Sequence, residues 1–180
     1  PSSVTYIGAC AFKSCTALSC VDLSDKLAVL PEYIFADCSS LKEVHLPDSL
    51  QYISNGAFSN CRKLTELIIP DTVVSIGINA FEECCSLESI TLSGSLKKIS
   101  GSTFANCSSL KTIILPDKLT QIEDRAFENC SSLSEVTFNN RLAGIGQSAF
   151  LNCTSLSSIE LPDSLISLGS QAFRGCKNLS

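Results

Sequence analysis

The sequence predicts an α/β solenoid: a right-handed superhelix of short coils, with a parallel β-sheet on one face and short extended segments and short helical turns on the other. Three observations carry that expectation. A 23-residue period runs through all 180 residues without an insertion, apolar and polar residues alternate within each period where a strand belongs, and Phe, Cys and Leu follow at intervals of three.

The period is carried by Phe12, Phe35, Phe58, Phe81, Phe104, Phe127, Phe150 and Phe173. Eight of the eleven cysteines keep the same interval, from Cys15 through Cys38, Cys61, Cys84, Cys107, Cys130 and Cys153 to Cys176, as do the leucines from Leu18 to Leu179. With each Phe as zero, the apolar positions are Cys at +3, Leu at +6, Val, Ile or Leu at +9, and Leu, Ile or Phe at +11. They continue with Leu or Val at +15, Ile or Leu at +18 and usually Ala at +22. A period of 20 to 29 residues with L-x-x-I-x-L at its centre is the signature of a leucine-rich repeat.

Each element follows from that pattern. Positions +9 and +11 alternate with polar neighbours, as in Val44-His45-Leu46 and Ile90-Thr91-Leu92, so a short strand buries one face. Pro-Asp follows at Pro47-Asp48, Pro70-Asp71, Pro116-Asp117 and Pro162-Asp163 and turns the chain, Pro by fixing φ and Asp by bonding to the local backbone. The stretch from +15 to +18, such as Leu119-Thr120-Gln121-Ile122, reads as extended or a second short strand, ended by Gly8, Gly77, Gly146 and Gly169 in four units. Phe, Cys and Leu spaced by three then suit one or two tight helical turns. No coil buries enough by itself, so neighbours must stack, and eight coils give a sheet on the order of 40 Å wide. The whole of 1–180 reads as a single array of about eight repeats, truncated in mid-coil at both ends.

Composition narrows the function. A hydrophobic content of 44% with 17% charged residues excludes disorder, and a net charge of −5 without a Lys/Arg run argues against nucleic acid and against anionic membrane. The segment holds no apolar stretch long enough to insert in a membrane and no signal peptide. The cysteine series is a structural register, because Cys buries well and no C-x-x-C has a matching second half. Cys10, Cys20 and Cys85 lie outside it.

With its AF pairs (Ala57-Phe58, Ala80-Phe81, Ala126-Phe127, Ala149-Phe150 and Ala172-Phe173), the Cys three residues on, and the LPD turn followed by Leu and Ile-Gly, the whole chain resembles the BspA-type leucine-rich repeats. Departures are Ser24 and Ser93 for Pro, Gly94 and Asn140 for Asp, and Ile34 and Thr103 for Ala. The resemblance implies a cell-surface or secreted protein that adheres to host extracellular-matrix or cell-surface proteins. It does not name the ligand, since the shared residues are core residues.

The expected protein-binding surface is the outward side of the main sheet: Glu43, His45, Glu66, Ile68, Thr91, Thr112, Ile114 and Thr137. Ile68 and Ile114 carry it, being apolar where the pattern calls for polar, as interface anchors are; single β-branched residues also suit a strand with no partner at all. Cys20, Asp22 and His45 fall together on that face, but a catalytic triad also needs an oxyanion hole and a water-excluding pocket. The turn aspartates Asp25, Asp48, Asp71, Asp117 and Asp163 are explained without calcium. No catalytic residue, metal ligand or cofactor site is therefore expected. Asn106, Asn129, Asn152 and Asn178 match the glycosylation pattern only because the repeat recurs. An intracellular protein-interaction scaffold is the alternative function, and a thiol-dependent hydrolase a distant third.

Overall fold

A computed structural model of the chain describes residues 2–180. Two faces of short parallel strands flank one continuous core. On the first face lie the three-residue strands Cys20–Asp22, Glu43–His45, Glu66–Ile68, Ser89–Thr91, Thr112–Ile114 and Glu135–Thr137. On the second lie the two-residue strands Val29–Leu30, Tyr52–Ile53, Ser75–Ile76, Lys98–Ile99, Gln121–Ile122, Gly144–Ile145 and Ser167–Leu168.

All pairing is parallel and joins residues 23 apart, so the sequence period is the sheet register: Asp22 lies beside His45, Ile68 beside Thr91 and Ile114 beside Thr137. The first face is ladder-paired in twos. Strands 66–68 and 89–91 form one ladder and strands 112–114 and 135–137 another, in contact along a seam that a Lys111 N–H to Glu88 carbonyl bond of 3.2 Å crosses.

The parallel solenoid agrees with the sequence, but the helical turns do not form: among the described residues there is no helix. Backbone conformation explains the correction. The residues two before and two after each Phe have left-handed φ, for example Tyr33 (54°) and Asp37 (62°), Asn79 (58°) and Glu83 (60°), or Arg125 (56°) and Asn129 (59°). A right-handed helix cannot pass through such residues. The segment is instead a run of tight turns, closed by Ala36 N–H to Tyr33, Cys38 N–H to Phe35 and Leu41 N–H to Cys38 carbonyl bonds of 2.9–3.2 Å. The intervening N–H groups turn toward the next coil: Tyr33, Phe35 and Asp37 donate to the carbonyls of Asn55, Ala57 and Ser59 at 2.8–3.0 Å. A third line of hydrogen bonds thus replaces the helix and satisfies backbone groups that burial would leave unpaired.

Inside, the six rings from Phe35 to Phe150 are fully buried. Successive rings stack with centroids 5.1–5.5 Å apart, and Phe12 and Phe173 continue the column. Polar departures from the repeat are bonded where they are buried. Ser93 donates to the Val73 carbonyl at 2.6 Å, and Thr103 to that of Ser100 at 2.8 Å.

Candidate functional site

The first face is built by alternation. Val44, Leu67, Ile90, Ile113 and Val136 point into the core, which forces their neighbours on each strand outward. Glu43, His45, Glu66, Ile68, Thr91, Thr112, Ile114 and Thr137 are accordingly all exposed on this one face. Ile68 is 73% and Ile114 87% exposed, values that set them apart from ordinary half-covered strand residues. They do not touch as one patch. Ile68, with His45, Glu66 and Thr91, lines one open depression; Ile114, with Thr112, Glu135 and Thr137, lines a second.

One end of the face carries a denser arrangement. Cys20 lies beside Glu43 and Asp22 beside His45, so four polar side chains occupy the corners of a rectangle on two adjacent strands. His45 sits between two carboxylates, with Nδ1 2.5 Å from Asp22 Oδ1 and Nε2 3.1 Å from Glu43 Oε1. Partial desolvation, with Glu43 and then Asp22 adding repulsion, pushes the Cys20 thiol up. A nucleophilic cysteine needs the opposite shift, so these three neighbours lack the activation a thiol hydrolase requires. The link from His45 to Glu43 joins residues two apart on one strand and is set by side-chain rotamers rather than by strand register.

The remaining candidates are structural. Asp71 accepts the Gly94 N–H at 2.8 Å, a bond within the turns, and the turn aspartates do not converge on a common point. Asn106, Asn129 and Asn152 form a ladder, in which the Asn129 amide donates to the Asn106 side-chain oxygen at 2.8 Å and the Asn152 amide to that of Asn129 at 2.9 Å. Burial raises the thiols of Cys61, Cys84, Cys107, Cys130 and Cys153, so they remain inert neutral groups.

The repeat pattern does not single out a second exposed stripe. Tyr6, Val29 and Tyr52 share the +17 position, with Val74 and Ile78 also exposed nearby in sequence. The signal was present in the sequence, since +17 changes from apolar to Ser75, Lys98 and Gln121 in later coils.

Stacked coils with a recurring apolar interior and an outward face that changes from coil to coil define a repeat solenoid. The chain belongs to the BspA type leucine rich repeat family, whose pattern it matches in six copies over residues 1–84 and 52–180. Repeats of this kind are in general non-enzymatic, protein-binding modules. No curated protein matches the chain. Among solved structures it is similar to a leucine-rich repeat protein from Bacteroides ovatus, at 27% identity and a TM-score of 0.71 over 100% of this chain and 61% of that one. It is similar to the T. pallidum leucine rich repeat protein at 26% identity and a TM-score of 0.71, over 100% of this chain and 76% of that one. A leucine-rich repeat protein from Eubacterium ventriosum shares 28% identity at a TM-score of 0.81, over 87% of this chain and 42% of that one. The chain thus spans less than two thirds of the length of the Bacteroides and Eubacterium proteins. Among the described residues no helix is long and apolar enough to cross a membrane.

Proposed function

We propose that the chain is an adhesion module of a cell-surface or secreted protein, and that it binds a partner protein, of a host matrix or cell surface, through the first sheet face. The 180 residues act as one array of about eight coils, a reading supported by the unbroken Phe column and the single continuous core. The observation that carries the binding reading is the exposure of Ile68 and Ile114 where the other outward residues, from strand 66–68 to strand 135–137, are Glu, Thr and Ser. Exposed apolar side chains in a polar surround are what an interface anchors on. Glu43, His45, Glu66, Thr91, Thr112 and Thr137 form the polar surround.

The test is adhesion of the purified chain to surfaces coated with extracellular-matrix proteins and to cultured host cells. An Ile68→Glu/Ile114→Glu double variant should lose at least about tenfold in binding, the loss of a single anchor being worth about 1.4 kcal/mol or more. Both side chains are exposed, so the fold should be untouched. Equal binding by the double variant and the parent would remove this face from the function.

A further inference from the structure

The rectangle at the end of the first face joins Glu43 and His45 of that polar surround to Cys20 and Asp22, which the binding reading does not use. The protein's sole histidine and one of its few cysteines outside the repeat register meet there. One donor atom from each of Cys20, Asp22 and His45 lies within 4.8 Å of the others, and among the described residues no other three metal-ligating side chains converge in this way. The Glu43 carboxylate lies 3.1 Å from the other ring nitrogen, Nε2, where it orients the imidazole and leaves Nδ1 to face Asp22. We propose that Cys20, Asp22 and His45 form a binding site for one borderline divalent transition ion of the zinc class.

The donor set decides the class. Calcium and magnesium take oxygen ligands alone, whereas a thiolate and an imidazole favour zinc and its neighbours. Size requires only side-chain adjustment. Ligands about 2.0–2.3 Å from a tetrahedral ion stand about 3.3–3.8 Å from one another. The Asp22–His45 contact of 2.5 Å therefore has to open by about 1 Å while the thiol closes in. The three side chains are exposed and project from short strands fixed in register, so rotamer changes suffice and the backbone stays in place. Without an ion, two carboxylates and a thiol crowd one imidazole. A dication neutralises that crowding, and the thiol proton passes to solvent as the metal–sulfur bond forms. The site is open on its outer side, as a position that keeps an exchangeable water or meets a partner's ligand must be.

The experiment uses the full chain, reduced and stripped of metal with a chelator, and titrated with Zn²⁺ by calorimetry and with Co²⁺ by absorption. One ion per chain should bind, and Co²⁺ should show the tetrahedral ligand-field bands with a thiolate-to-metal charge-transfer band. Cys20→Ser should abolish the charge-transfer band, and His45→Ala should weaken binding by more than about tenfold. A Cys10→Ser/Cys15→Ser variant, which alters the other exposed thiols, should behave as the parent. Absence of saturable binding would overturn the proposal. So would a charge-transfer band that survives Cys20→Ser, unchanged binding in His45→Ala, or one ion shared by two chains. Because Ile68 and Ile114 lie outside the rectangle, loss of adhesion in their double variant leaves this result untouched, and Cys20→Ser, which changes no residue of the proposed binding surface, tests the ion separately from adhesion.

Discussion

Seven thiols, from Cys38 to Cys176, lie 3.0–3.2 Å from the carbonyl oxygen of a Phe one coil back and donate to it. Serine would fit the same bond but would bring a more strongly hydrated group into the core, and alanine would leave the carbonyl without that donor. Cysteine meets both demands. This gives stability a definite pH dependence. Burial, reinforced by the thiol of the following coil, holds Cys84, Cys107 and Cys130 well above their ordinary value of 9.0. The folded chain therefore keeps protons that the unfolded chain releases above that value. The stabilisation is complete below pH 9.0 and is lost as pH rises past it, by about 1.4 kcal/mol per thiol for each pH unit. The urea midpoint should be flat up to about pH 8 and fall steeply beyond about pH 9.5. A Cys107→Ala/Cys130→Ala variant should show a shallower fall from a lower starting point. A midpoint of the parent chain that holds steady through about pH 10.5 would contradict the role given to these thiols.

The elements divide into those whose signal is unambiguous in sequence and those whose signal is shared. Strands on the first face were legible because alternation at +9 and +11 has only one structural meaning when both positions recur in every coil. The Phe–Cys–Leu segment was not, because spacing by three suits a helical turn and a chain of tight turns equally. The deciding cue sits at +2, where Asp37, Asn60, Asn106, Asn129, Asn152 and Gly175 are the residue types that best tolerate left-handed backbone. Of the candidate site, the outward positions were legible for the same reason as the strands, while the division into two depressions depends on strand pairing that no single residue encodes. The glycines ending the second-face strands show a further distinction. They mark turns in the sequence, yet Gly77, Gly146 and Gly169 matter for closeness: a Cβ on Gly146 would lie 2.5 Å from the Asp124 backbone nitrogen. Gly94 has room, its nearest such contact being 3.5 Å. Gly146→Ala should accordingly destabilise by about 1–3 kcal/mol, as overpacking does. Gly94→Ala should be neutral or stabilise by up to about 1 kcal/mol through the unfolded chain. Denaturant titration of both variants tests the pair, and equal effects would mean that the coils are spaced loosely enough to admit a methyl group at either position.

At the scale of the whole molecule, every strand pair and every ring stack joins a coil to its immediate neighbours, so stability is a sum of nearest-neighbour terms rather than the property of one shared centre. Position in the array therefore matters more than residue type. Phe104 is fully buried and stacks on Phe81 at 5.5 Å and on Phe127 at 5.4 Å, whereas Phe173 is partly buried and stacks on Phe150 alone. Truncating the central ring removes two interfaces and leaves a cavity; truncating the terminal one removes a single contact and lets solvent in. Phe104→Ala should cost about 3–5 kcal/mol and Phe173→Ala clearly less. The pattern of loss should differ too. Native-state hydrogen exchange should show protection falling most in the coils that hold Phe81, Phe104 and Phe127 and least at Phe12 and Phe173, since coupling passes only from coil to coil. A uniform fall along all the coils in Phe104→Ala, with equal costs for the two substitutions, would mean that the array folds as one globular unit and that its faces cannot be altered one coil at a time.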